Sequence, residues 1–160
     1  IVEGFCDADW NTLSGDSLST TGHIFTLAGG AISWKSKKQQ IIVKSTMEAE
    51  LIAFASACEE ASWLWDLTHE NPLWEKLEPT ILIHCNSTTA IGRVNNRYYN
   101  GKSRAIRRKH SIVRAYIGNG TINVNYTRSR DNIADPLTKP LAREKVWDTL
   151  RGMRLKFIIT

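Results

Sequence analysis

Apolar and polar positions along this chain change period several times, and each change marks an element. Ile1 to Cys6 is a short apolar run ending in the acidic Asp7-Ala8-Asp9-Trp10, which predicts a strand that feeds a loop. Gly15 and Asp16 mark a turn. Thr20 to Leu27 then predicts a strand, Gly29-Gly30 a tight turn, and Ala31 to Lys35 its hairpin partner, together a three-stranded antiparallel meander. Ser45 with Glu48 matches a capping box, and Leu51, Phe54, Ala55, Cys58, Ala61 and Trp65 keep helical spacing to about His69, before Pro72. After Pro79, Thr80 to Cys85 predicts an apolar strand of the buried, parallel type. Ser87 or Thr88 caps a short helix through Val94. A polar, basic stretch from Asn95 leads into a helix from Arg104 to Ile117, stopped by Gly118 and Gly120. Thr121 to Thr127 alternates as a strand. Asn132 to Leu141 opens a final helical region interrupted by Pro136 and Pro140, and Glu144 to Leu155 predicts the last helix. Three strands, a helix, a strand, two helices, a strand and a helix describe an α/β domain with a mixed sheet, a meander followed by parallel crossover strands.

At 160 residues the chain is one domain by length and can bury a core. Its formal charge of +5 tilts toward a polyanionic partner, and the distribution says more than the sum. Lys35, Lys37, Lys38 and Lys44 cluster early, and Lys102, Arg104, Arg107, Arg108, Lys109 and Arg114 cluster late, while the acids concentrate between Glu48 and Glu78. Segregated basic patches are the electrostatic footprint of nucleic-acid binding; the alternative is a solvated face. Cys6, Cys58 and Cys85 are odd in number and lack metal-type spacing, so small buried thiols in a reducing compartment are expected. No apolar run reaches the length of a membrane span, and no membrane partner is expected. The chain begins without Met and enters a strand almost at once, as a domain cut from a longer polypeptide would.

Four stations carry the candidate chemistry. Asp7 lies where the first strand ends, with Asp9 two residues on and able to support it from the same side. Glu50 precedes Phe54 and Cys58 at helical spacing and so lies on the inward face of its helix, whereas Glu48 is explained by the cap. Asp135 is placed in the first turn of the last helical region, where the helix dipole alone also favours an acid. Asn86 follows a buried strand in the same kind of setting, but holds an amide. Carboxylates converging from distant parts of a chain suit hard divalent cations.

DADW, the GG-AISWKSKKQ hairpin, STMEAELIAF, CNSTTAI, RRKHSIVR and DNIADPLTKPL occur in that order and cover nearly the whole chain, from about Phe5 to Leu155. In these motifs the chain resembles the ribonuclease H domain of copia-type (Pseudoviridae) retrotransposon polyproteins. The resemblance implies a ribonuclease H-like fold, with a mixed five-stranded sheet flanked by helices, over residues 1–160. It also implies two-Mg²⁺ hydrolysis of the RNA strand of an RNA–DNA hybrid, Mn²⁺ being able to substitute. The catalytic and metal-binding set carried over is Asp7, Glu50, Asn86 and Asp135: Asp7 would bridge both ions, Glu50 and position 86 would complete one, and Asp135 the other. The implied partners are the hybrid duplex and an adjoining reverse transcriptase domain, in a cytoplasmic retroelement particle or the nucleus.

Asn86 departs from the family pattern, which has Asp there. Asn keeps the shape and one acceptor oxygen but surrenders the negative charge and offers an NH₂ to the site. The expectation is therefore an enzyme impaired as written, or a non-catalytic hybrid-binding module. Natural decay and a deliberate replacement are both open as the origin of Asn86, and the intact state of the other motifs favours the replacement. The loop TRSRDNIAD lacks the His that other ribonucleases H place there, and Arg128 or Arg130 is the available substitute. Hybrids are recognised through 2′-hydroxyls and phosphates, for which Lys38, Gln39, Ser45, Ser87, Arg107, Arg108, Lys109 and His110 are the chosen contacts, with Asn11, Ser14, Ser19, Thr20, Thr88 and Asn95 as further polar candidates. His110 is expected on the helix surface, His23, His69 and His84 in structural roles, and the tryptophans mostly in the core, Trp10 beside the site.

Overall fold

A computed structural model describes residues 1–10, 18–74 and 80–156. The meander forms as the alternation predicts: β1 (Val2–Asp9) pairs antiparallel with β2 (Thr20–Leu27), which pairs antiparallel with β3 (Gly30–Lys38). Helix α1 (Thr46–Glu70) follows, then β4 (Ile81–Cys85), helices α2 (Thr88–Asn95) and α3 (Arg104–Gly118), β5 (Ile122–Tyr126) and helix α4 (Arg143–Gly152). The sheet order is β3-β2-β1-β4-β5, with β1·β4 and β4·β5 parallel. The mixed five-stranded sheet expected from the sequence is the one observed.

Three boundaries differ from expectation. β1 continues through Asp9 instead of ending at Cys6, because Asp7, Ala8 and Asp9 find partners in Gly22, Thr21 and Thr20. β3 reaches Lys38 for the same reason, pairing with Thr20; it is an edge strand, and its exposed lysines also discourage further strand addition. The turn at Gly15–Asp16 lies outside the described residues. Asp135 does not open the last helix: the residues Asp135–Leu137 close a 3₁₀ turn, Pro140 cannot donate the backbone hydrogen bond that would carry that turn on, and α4 starts only at Arg143.

Strand alternation sorts β1 between two cores. Val2, Cys6 and Ala8 join a large cluster built on α1, which includes Leu51, Phe54, Cys58, Ile83, Ile106 and Val113. Phe5 instead joins a small cluster around Ile24, Ala134 and Met153, under α4. Asp7 shares Phe5's parity and therefore the thin side. Helix α1 is held at its start by Ser45, whose Oγ accepts the Glu48 N–H, while Glu48 returns to accept the Lys44 N–H. Of the tryptophans, Trp10, Trp34, Trp63 and Trp147 are exposed, correcting the expectation of a tryptophan-rich core; aliphatic and alanine side chains along α1 fill it instead. The three cysteines are free and buried. No helix of the described residues is long and apolar enough to cross a membrane.

His23 on β2 is 1% exposed, and burial holds its pKa at about 4, the Lys35 charge assisting and Glu60 opposing. Unfolding returns it to about 6.5. Between those values only the unfolded chain takes up the proton, so stability falls as pH drops from 6.5 toward 4, by up to about 3 kcal/mol. A His23→Leu chain is expected to show a flatter acid limb in denaturant titrations; an unchanged pH slope would refute the assignment.

Candidate active site

The parallel strands β1 and β4 end on the same side, and their connections diverge: β1 turns to β2, and β4 runs into α2. Such a crevice at the carboxyl ends of parallel strands is where α/β sheets present chemistry. Asp7 stands near the end of β1, 1% exposed, and Asn86 directly follows β4. The Asn86 Nδ2 donates to Asp7 Oδ1 at 3.2 Å and to Ser129 Oγ at 3.3 Å. Ser87 caps α2 by accepting the Ala90 N–H, which fixes where the chain leaves the strand.

Glu50, in the second turn of α1, is buried, and its carboxylate accepts the backbone N–H of Ala8. Burial pushes its pKa up to about 9, with the charges of Cys85 and Asp7 adding to the rise. Its Oε2 has no hydrogen-bond partner, and neither does Asn86 Oδ1.

Asp135 arrives from the other face of the sheet. Its turn is pinned by Asn132, whose Nδ2 donates to the Cys6 carbonyl at 2.8 Å and whose Oδ1 accepts the Ala134 N–H at 3.1 Å. Gly22 lets the turn sit on β2: a Cβ there would come within 2.7 Å of Thr138 Cγ2 and 2.9 Å of Leu137 Cβ. Thr138 donates its hydroxyl to Asp7 Oδ2 at 2.5 Å. The Lys139 ammonium lies 2.7 Å from Asp135 Oδ1 and 3.6 Å from Asp7 Oδ2, and Lys145 sits 2.6 Å from Asp135 Oδ2. Burial raises the Asp7 carboxyl above its ordinary value, against the opposing Thr138 hydrogen bond and Lys139 charge. For Asp135 burial pulls upward, but hydrogen bonds from Lys139 and Lys145 prevail and hold it below the ordinary value. Lys139 is the mirror case, kept above its ordinary value by Asp135 and Asp7 despite desolvation.

Asp7, Glu50, Asn86 and Asp135 thus gather from four separate elements. Asp9 is buried on the same alternation as Asp7. Among the described residues no three His, Cys, Asp or Glu side chains form a metal cage by themselves. The donor set is nevertheless the hard-oxygen kind that Mg²⁺ takes, and the unpartnered buried oxygens of Glu50 and Asn86 fit a cation's demand for ligands.

The binding candidates divide. Arg107 and Arg108 are exposed on α3, and Lys109 forms an ion pair with Glu59 of α1 at 3.4 Å. A cleft of ≈ 180 Å³ is lined by Lys35, Lys37, Lys38 and Lys109 together with Ile52, Ser56 and Glu59 of α1, so both basic segments meet beside α1. His110 is not on the surface: it is 3% exposed, and its Nε2–H donates to the Arg93 carbonyl, tying α3 to α2. Gln39 is likewise a structural residue, 5% exposed, its amide donating to Thr21 Oγ1 and the Ala49 carbonyl. The hydroxyl oxygens of Ser45 and Ser87 serve as helix caps. Ser19 is buried, Thr88 and Asn95 are exposed, Thr20 is half-buried, and Asn11 and Ser14 lie outside the described residues. Arg128 and Arg130 are exposed beside the site, and Arg130 pairs with Asp131. Sequence reasoning missed Asn132, Thr138, Lys139 and Lys145; the dense run of polar residues around Asp135 was the available signal.

No protein-family model matches the chain. It is 34% identical over 145 residues to the retrovirus-related Pol polyprotein from transposon TNT 1-94 of Nicotiana tabacum, a match covering 91% of this chain and 11% of that relative. The chain therefore spans about a tenth of that relative's length. The fold is similar to ribonuclease H1 from the halophilic archaeon Halobacterium salinarum, with a TM-score of 0.61 at 16% identity over 92% of this chain and 98% of that one. It is also similar to LC11 ribonuclease H1 in complex with an RNA/DNA hybrid, with a TM-score of 0.59 at 17% identity over 86% and 94%.

Proposed function

This chain is a homologue of copia-type retrotransposon Pol polyproteins with a ribonuclease H-like fold, and on that premise we propose that it is a ribonuclease H domain that binds RNA–DNA hybrid and is impaired in cleaving the RNA strand by Asn86. The observation that carries the reading is the convergence of Asp7, Glu50, Asn86 and Asp135 at the open end of β1 and β4. Its setting is the Pol polyprotein, with an adjoining reverse transcriptase domain as neighbour, a reading supported by the likeness to the tobacco polyprotein.

Asp7, Glu50, Asp135 and the Asn86 carbonyl oxygen are the residues that would hold Mg²⁺, or Mn²⁺ in its place. When bound, such ions activate water and stabilise the leaving oxygen in phosphodiester hydrolysis. The protein's own contribution is positional. Thr138 fixes the Asp7 carboxylate, Lys145 and Lys139 keep Asp135 anionic, and Ala8 orients Glu50. Asn86 weakens this set in two ways. It subtracts a charge, and its NH₂ satisfies Asp7 Oδ1 directly, where a second carboxylate would repel Asp7 and demand a cation. That hydrogen bond favours the second reading, a module that binds hybrid without cutting it. Labelled hybrid incubated with the protein in Mg²⁺ is expected to be bound but cleaved far below an ordinary enzymatic rate; brisk cleavage would remove position 86 from the ligand set.

The duplex is proposed to run from the site along the lysine-lined cleft to the exposed face of α3. Neutralising a side chain that touches one phosphate should lower the salt slope of binding by about 0.7–0.9. Replacing Arg107 and Arg108 with Gln is therefore expected to reduce the slope by about 1.5 and to weaken binding at moderate salt without lowering Tm. Unchanged affinity and slope would put the duplex elsewhere.

A further inference from the structure

A lysine stands where a cation would. Lys139 approaches both carboxylates that face the thin side of the sheet, at 2.7 Å from Asp135 Oδ1 and 3.6 Å from Asp7 Oδ2. It is one-third exposed, while both acids are nearly inaccessible, so the ammonium has a route to solvent that the carboxylates lack. Its reach is set by the 3₁₀ turn, which places Lys139 four residues after Asp135. Asp135 has a second, independent partner in Lys145 on its other oxygen. Among these four groups, Asp7 and Asp135 carry two negative charges and Lys139 and Lys145 two positive ones. The set of four is neutral before any metal enters.

We infer that Lys139 is a built-in counter-cation in the seat between Asp7 and Asp135, which a divalent ion must displace to bind there. Resting on the ribonuclease H reading above, the inference makes Lys139 a positioning residue with two consequences. It holds two buried carboxylates together when the ion is absent, preventing the repulsion that would otherwise open the turn. It also competes with the ion, so the seat fills only when the ion outbids the ammonium. Lys145 stays on Asp135 in both states and keeps that carboxylate ionised.

The test uses Mn²⁺ alone, without nucleic acid, on the full chain. Lys139→Met and Lys139→Gln are expected to bind Mn²⁺ at least about tenfold more tightly than the parent, because a competing charge is gone. Both are expected to melt lower than the parent in EDTA and to recover with Mn²⁺, whereas Lys139→Arg keeps the parent's affinity. A merely structural lysine would lower Tm without metal rescue and leave Mn²⁺ affinity unchanged or weaker, and that result overturns the inference. A readout on the unaltered chain guards against a variant that fails to fold. Amine acylation followed by peptide mass analysis should find Lys139 protected in EDTA and reactive at saturating Mn²⁺; protection unchanged at saturation also overturns it. Hybrid binding measured on the same proteins separates the two readings. Loss of hybrid binding with the Mn²⁺ results intact would defeat the proposed function and leave the counter-cation standing.

Discussion

An Asn86→Asp chain is expected to nick the RNA strand of a hybrid in Mg²⁺ at least about 100-fold faster than the chain as written, leaving 5′-phosphate and 3′-hydroxyl ends. The magnitude follows from the charge at stake: stabilisation by a properly held cation is worth several kcal/mol, and each 1.36 kcal/mol is about tenfold in rate. The geometry is ready for the change. Asn86 already lies 3.2 Å from Asp7 Oδ1, so the substituted carboxylate needs no backbone movement to reach the site. It would turn an attractive amide contact into a repulsive one, and stability in EDTA should fall while stability in Mg²⁺ is kept. An Asn86→Asp chain that binds hybrid and stays inert in both Mg²⁺ and Mn²⁺ would mean that position 86 alone does not limit cleavage and that the non-cutting module is the correct reading.

Asn132→Ala is expected to cost about 2–4 kcal/mol of stability, because it strands a buried carbonyl at Cys6 and a buried N–H at Ala134. The same change frees the turn that presents Asp135. In an Asn86→Asp background it should therefore lower the rate more than it lowers hybrid affinity, since the proposed binding surface on α3 lies on the opposite side of the sheet. Equilibrium denaturation and single-turnover cleavage check the two halves. A stability loss below about 0.5 kcal/mol, within what surface substitutions produce, would show that Asn132 does not pin the turn.

Strand and helix identity was legible because period and punctuation agree: Gly29-Gly30, the Ser45–Glu48 cap and the Pro72 boundary each correspond to an observed feature. The extensions of β1 and β3 were not legible, since ladder pairing carries polar residues such as Asp7, Asp9 and Lys38 into strands that their composition would end. Asp7, Glu50, Asn86 and Asp135 were readable as stations and do converge. Their fixings were not, because Thr138, Lys139 and Asn132 act across more than a hundred residues of sequence or through a turn shaped by proline. His110 and Gln39 misled for one reason. A polar residue in a basic or polar run looks exposed, yet each spends its hydrogen bonds joining neighbouring elements.

The sheet's two unequal cores give the site an uneven lifetime. Glu50 rests on the deep α1 side, whereas Asp135 rides on a segment backed by a smaller cluster, in which only Ile24, Ala134 and Met153 are fully buried and Phe5, Ile133, Leu137 and Leu150 are half-covered. Regions with few buried apolar neighbours open at lower free energy than the whole molecule. Amide protons from Asn132 to Met153 should then exchange before those of α1. Heating should extinguish the fourth member of the site while the remainder of the fold still registers as intact, so in an Asn86→Asp chain cleavage and circular dichroism would report different transitions of one molecule.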